Sequence, residues 1–138
     1  MASPNLKGKR ILVVGGETAL GRKLAVGLAE RGADVAIASL SPSADAEFAI
    51  NSALNELWVL GRRGLALAID ASSADDVREA VARAERELGR LDLGVAVAGD
   101  ETSVALDALR AALEGRQVVV LAPETSVDEA LIDTTRQA

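Results

Sequence analysis

The chain has no cysteine, no histidine and no tyrosine, and each absence closes off a class of chemistry. Without cysteine there is no disulfide, no thiolate nucleophile and no Cys-ligated metal. Without histidine the usual zinc sites and imidazole acid/base catalysis go as well. Aromatic residues make up 1% of the chain, Phe48 and Trp58 alone, so the core must be packed from the Ala, Val and Leu that dominate a hydrophobic content of 49%. Fifteen Lys+Arg against 21 Asp+Glu leave a net charge of -6, which argues against a general nucleic-acid or anionic-membrane surface. No apolar run approaches membrane-spanning length, and the polar stretch Met1 to Lys9 lacks a signal-like apolar core, so a cytoplasmic location is expected. The length of 138 residues fits one domain, residues 1–138, with a sheet covered on both faces.

What is present is a regular alternation. Arg10 to Val14 reads as a continuously apolar strand, and a helix of roughly Ala19 to Arg31 follows, with Leu20, Leu24 and Leu28 on one face, Ala25 and Gly27 for close approach, and Gly32 as its stop. Ala33 to Ser39 is the second strand. Pro42 suits the first position of a second helix, whose inward stripe is Ile50, Leu54 and Leu57. Phe48 and Trp58 lie on that helix and read as core anchors, with a partner-facing patch as the alternative. Leu65 to Ile69 is strand three, after a solvated Arg62-Arg63 connection, and Asp70 ends it.

Ser73 with Asp76 forms a variant of the capping box, opening a helix whose buried face is Val77, Val81, Ala84 and Leu88. Leu93 to Ala98 is strand four. A helix capped near Ser103 carries Leu106, Leu109 and Leu113, Gln117 to Leu121 is strand five, and Ser126 with Glu129 caps a last helix. The pairs Asp75-Asp76 and Asp128-Glu129 open helices, where they complement the dipole rather than bind metal.

Five strands alternating with five helices specify a three-layer α/β domain with a five-stranded parallel sheet. Two strand orders, 3-2-1-4-5 and 2-1-3-4-5, share this element sequence, and periodicity does not choose between them. The motifs do. Val14-Gly15-Gly16-Glu17-Thr18-Ala19-Leu20-Gly21 joins a buried strand to a helix whose N-terminus can receive phosphate. A receiver-type phosphotransfer domain would instead need acidic residues after strand one and a lysine after strand five; Gly15-Gly16 and Ala122-Pro123 supply neither.

From Leu6 to about Gly99, roughly two thirds of the chain, the sequence resembles the cofactor-binding N-terminal half of the short-chain dehydrogenase/reductase family. The carriers are the opening Leu6-Lys7-Gly8-Lys9-Arg10, the phosphate loop just quoted against the family's Thr-Gly-x-x-x-Gly-x-Gly, Asp70-Ala71 after strand three, and Ala96-Val97-Ala98-Gly99 where the family has Asn-Asn-Ala-Gly. The resemblance implies a Rossmann-like domain of strand order 3-2-1-4-5. It places a dinucleotide against Gly15, Gly16, Ala19, Leu20 and Gly21 at the pyrophosphate, Ser39 at the adenine ribose, Asp70 and Ala71 at the adenine, and Ala98 and Gly99 beside the nicotinamide ribose.

The departures matter as much. Ala19 stands where the family has its second glycine, and Val14 replaces a threonine that braces the loop. Ser39-Leu40 offers neither the acidic residue that reads NAD nor the basic residues that hold NADP, so both cofactors stay open, with Arg22 as a candidate phosphate contact. The family's reaction needs a tyrosine with a lysine four residues on; here there is no tyrosine and the last lysine is Lys23. Glu101 to Ala138 is also short for the catalytic half. The expectation is a truncated, non-catalytic member that binds an adenine dinucleotide or serves as an association or regulatory subunit, as a homo-oligomer or beside a larger dehydrogenase-like subunit, with no catalytic residue, metal, nucleic acid or membrane partner. The alternatives are a minimal NAD(P)-dependent oxidoreductase whose partner supplies the proton donor, and a purely structural assembly protein with no ligand.

Overall fold

In the computed structural model, which describes residues 5–97 and 104–138, strands and helices alternate along the chain. They are β1 (Arg10–Val14), α1 (Ala19–Glu30), β2 (Asp34–Ala38), α2 (Ala44–Val59), β3 (Gly64–Leu67), α3 (Ala74–Leu88), β4 (Leu93–Val97), α4 (Leu106–Ala112), β5 (Gln117–Leu121) and α5 (Val127–Gln137). The strands form one sheet in the order β3-β2-β1-β4-β5, all pairs parallel, with Val13 lying between Ile37 and Val95. This is the three-layer Rossmann-like arrangement, and the order reverses between β1 and β4.

The unbroken apolar run Ile11 to Val14 of β1 is explained by the layers. Ile11 and Val13 pack with Leu24, Leu28, Ile50, Leu57 and Leu131 beneath α1, α2 and α5. Leu12 and Val14 point the other way, among Val77, Val81, Leu88, Leu109 and Leu113 beneath α3 and α4. Each such side chain, fully buried, contributes about 1.5–3 kcal/mol. Gly27 is buried for a different reason than sheet contact: a Cβ there would lie 3.0 Å from both Leu131 methyls, so it seats α5 on α1.

Helix ends follow local chemistry. Thr18, Ser43, Ser73 and Ser126 each accept an N–H of the first turn through the side chain. After α1, Gly32 at φ +106° donates to the Ala29 carbonyl and Ala33 to Leu28, the paired bonds of a Schellman ending that an L residue would strain.

Several boundaries differ from the sequence reading. Pro42 is not the first residue of α2: Ser43 caps it, accepting from Ala46 N–H at 3.1 Å, and the helix begins at Ala44. Strand β3 stops at Leu67 rather than Ile69 because the Ser39 hydroxyl takes both the Ile69 N–H and its carbonyl. The Ser73 capping box closes only halfway, since the Ser73 N–H is spent on the Asp70 carbonyl and the Asp76 carboxylate accepts from Asp70 N–H instead. Helix α4 starts after Ala105, which has no side chain to cap it; Ser103 lies outside the described residues. Phe48 and Trp58 are not core anchors, being 77% and 57% exposed. The inward face of α2 is Ala46, Ile50, Ala53, Leu54 and Leu57, and Phe48, two residues from both Ala46 and Ile50, is turned about 200° away from it.

Candidate functional site

Of the residues singled out by the sequence, Gly15, Gly16, Ala19, Leu20, Gly21, Ser39, Asp70 and Ala71 lie at the C-terminal edge of the sheet, where β1, β2 and β3 release the chain into loops beside β4. In open α/β sheets this edge, at the point where strand order reverses, is where ligands bind. The β1–α1 turn is built tightly there. Gly15 and Gly16 both donate to the Ala38 carbonyl, at 2.8 and 3.1 Å. Gly15 has φ +100°, and a Cβ on it would lie 3.1 Å from Val97 of β4. A Cβ on Gly16 would fall 2.1 Å from Ile37, and one on Gly21 would fall 2.0 Å from the Gly15 carbonyl oxygen. All three positions therefore accept only glycine without movement of the backbone or of a core strand.

Ala19 is exposed and opens α1 with an ordinary negative φ, so the methyl group that replaces the family's second glycine brings no backbone strain. Leu20 sends its side chain into the core. The brace that Val14 cannot provide comes from Thr18, whose hydroxyl donates to the Gly15 carbonyl at 2.7 Å and accepts from Gly21 N–H at 3.0 Å. Among the described residues nothing accepts the Ala19 or Leu20 N–H; these are the unsatisfied donors of a helix start, which favour an anion. The arrangement fits a phosphate-bearing group: small residues clear the approach, and donors wait behind them.

Around this loop the other positions divide. Ser39 is fully buried and its hydroxyl is spent on Ile69, accepting at 2.9 Å and donating at 3.2 Å, so it ties β2 to the chain after β3 rather than facing a ribose. Ala71, also buried, donates to the Leu40 carbonyl and accepts from Ala105 N–H, which joins the ends of β2 and β3 to the start of α4. Asp70 sits at the surface. Its carboxylate accepts the Ser72 hydroxyl at 2.6 Å and the Ser72 N–H at 3.0 Å, and these two bonds, the hydroxyl first, hold its pKa below the ordinary aspartate value. Arg22 does not turn toward the loop: it binds Ser52 at 3.1 Å and Glu56 at 3.2 Å on α2. Ala98 and Gly99 lie outside the described residues.

One participant is absent from the sequence reading. The Glu17 carboxylate reaches across the loop to the end of β2 and accepts from Leu40 N–H at 2.8 and 2.9 Å and from Ser41 N–H at 3.2 Å. Its sequence signal is its place as the one charged residue between Val14 and Gly21, whereas ribose recognition in such folds points to the end of β2 itself. Among the described residues no group of three or more Asp and Glu could hold a metal ion, and no helix is long and apolar enough to cross a membrane.

A family profile described as short chain dehydrogenase matches residues 9–123. The chain belongs to the short-chain dehydrogenase family. Among its curated relatives, an L-rhamnose 1-dehydrogenase (NAD(P)(+)) of Sphingomonas sp. (strain SKA58) is 36% identical over 94 residues, covering 68% of this chain and 35% of the relative. A short chain dehydrogenase from Mycobacterium paratuberculosis bound to NAD superposes with a TM-score of 0.63 at 27% identity, over 69% of this chain and 38% of that one. A blue fluorescent protein from a metagenomic library, in complex with NADPH, gives a TM-score of 0.69 at 26% identity, over 84% and 56%. The chain thus spans about a third of the length of the curated relatives it matches.

Proposed function

We propose that this chain binds the adenosine-diphosphate portion of a nicotinamide dinucleotide and carries out no hydride transfer with these 138 residues alone. The observation that carries the first part is the β1–α1 turn: a positive-φ Gly15, a Gly21 pressed against it, and two helix-start N–H groups left for an anion. In this reading Gly15, Gly16, Ala19, Leu20 and Gly21 surround the pyrophosphate and Asp70 meets the adenine, while the buried Ala71 holds the turn beside it. Ser39 contributes indirectly, by holding the end of β2.

The second part rests on what proton transfer requires. The nicotinamide, when bound, supplies hydride chemistry, and the protein must pair it with a proton donor at the carbonyl oxygen. No tyrosine is present to do so, and the last lysine, Lys23, stands exposed on α1. What this chain supplies is binding and orientation, with any turnover dependent on a donor from elsewhere.

The test is a thermal-shift and calorimetric panel of NAD, NADP and ATP. Ligand at about a hundredfold excess over its dissociation constant adds about 2.7 kcal/mol of stability, a readily visible rise in melting temperature. Gly15→Val abolishes that rise in any variant that folds. No shift with any of the three nucleotides would refute nucleotide binding. A second reading, association with a partner, draws support from β5, an edge strand that leaves Val120 44% exposed; a monomer at micromolar concentration in sedimentation would count against self-association.

A further inference from the structure

Resting on that reading, we infer that Glu17 is a specificity-determining residue that selects a dinucleotide with a free adenine-ribose 2′-hydroxyl over one carrying a 2′-phosphate. The end of β2 is where such folds read the ribose, by an acidic side chain for the diol and by basic ones for the phosphate. The residues at that end, Ser39 and Leu40, offer neither. The structure delivers a carboxylate there from a different element. Glu17 leaves the phosphate loop and lies on the backbone N–H groups of Leu40 and Ser41.

Two consequences follow from the contacts. First, the amides at the end of β2, which could otherwise receive a phosphate, are taken by an acceptor belonging to the chain. Second, a carboxylate has about four lone-pair sites, and the three recorded contacts leave capacity to accept a ribose hydroxyl, whereas a phosphate in the same place meets a like charge. Nothing nearby offsets that repulsion. Glu17 has no basic partner among the described residues, Arg22 is held by Ser52 and Glu56, and the first turn of α2 adds Asp45 and Glu47 rather than a lysine or arginine.

The bland account is that Glu17 merely staples the loop to β2. It predicts that replacing Glu17 affects stability and all dinucleotides alike. Selection predicts a change in ratio, which a staple would not move.

The experiment is isothermal titration of the 138-residue chain with NAD and with NADP, for the wild type and for Glu17→Gln, which retains a carbonyl acceptor for the Leu40 amide but loses the charge. The wild type is expected to bind NAD about tenfold or more tightly than NADP, on the scale of one partly screened like-charge contact. In Glu17→Gln the ratio falls to within about threefold, chiefly through a gain for NADP. Should that variant not fold, the wild type alone still decides: raising NaCl from about 0.05 to about 0.5 M screens the repulsion and narrows the NAD-to-NADP ratio. Equal affinity for the two in the wild type, or a ratio unmoved by both the substitution and salt, overturns the role of Glu17 while leaving nucleotide binding intact. No binding of either by wild type or variant overturns the parent reading, and this inference with it.

Discussion

The two edges of the sheet are closed by opposite chemistry. At the N-terminal edge, where strands begin, Arg116 binds the carbonyls of Leu91 and Leu113 and pairs with Glu85 at 2.8 Å, while Arg10 N–H donates to Asp92. At the C-terminal edge, acceptors cover backbone donors: Glu17 on Leu40 and Ser41, Thr18 on Gly21, Ser39 on Ile69. The first edge pairs Arg116 with Glu85 and covers strand-start groups from within the chain, although the buried Arg10 Nε has no partner among the described residues. The second leaves a carboxylate with N–H partners but no cation, and helix-start donors with no acceptor, among the described residues. An ion pair with its hydrogen bonds made stabilises, and helix-start donors beside a carboxylate without a cation are where an added ligand can make bonds.

That difference is open to breakage, beginning with the largest effect. Gly21→Ala forces a methyl to within 2.0 Å of the Gly15 carbonyl oxygen, so the loop must separate from α1; a loss of about 2 kcal/mol or more is expected, with nucleotide binding lost alongside. Gly115→Ala, before β5, is the control. It meets nothing within 4 Å and carries only the penalty of φ +84°, about 1 kcal/mol. Urea denaturation of the two variants checks the ordering, and equal losses would show that the loop can relax.

Next comes Glu85→Gln at the N-terminal edge. Burial there opposes ionisation of Glu85, but the Arg116 hydrogen bond, the Leu91 N–H and the nearby charges of Arg116 and Arg90 outweigh it and hold its pKa below the ordinary glutamate value. A folded-state pKa lower than the unfolded one means stability that is present above the unfolded value and is lost as pH falls through the folded one. The substitution should therefore cost about 1 kcal/mol at pH 7, and progressively less as pH falls through the folded-state pKa and the wild-type carboxyl is neutralised. Denaturation of both chains across an acid pH series reads this directly. Nucleotide affinity should not change, because this edge is remote from the loop.

The sequence disclosed the fold more fully than the site, and the reasons are specific. β1 and β5 appear with the bounds expected of them because apolar runs flanked by glycine or proline are self-contained signals. The strand order followed from the family resemblance and not from periodicity. The candidate site is legible where backbone geometry dictates the residue, as at Gly15 and Gly21. It is not legible where a side chain crosses between elements: the Ser39 hydroxyl is spent on Ile69, 30 residues away in sequence, and Glu17 lies 23 residues from the amide it covers. Phe48 and Trp58 were misplaced because hydrophobicity outweighed their phase on α2.

The smallest change in stability should come from Asp70→Asn, and for that reason it sharpens the contrast best. The Asp70 carboxylate is bonded, among the described residues, only to Ser72 two residues on, and it lies at the surface. Its lowered pKa reflects those local bonds, which an asparagine carbonyl can largely replace, so the melting temperature of the unliganded chain should stay where it is. If Asp70 meets the adenine amino group, however, the amide presents a weaker, neutral acceptor, and NAD affinity should fall about threefold to tenfold, in line with loss of one charge-assisted bond. A variant with unchanged stability and weakened binding would place Asp70 in the ligand's reach; unchanged binding would confine it to capping the end of β3. Set beside Glu85→Gln, whose effect is confined to stability, it asks whether the two edges of one sheet are separable in energy as they are in chemistry.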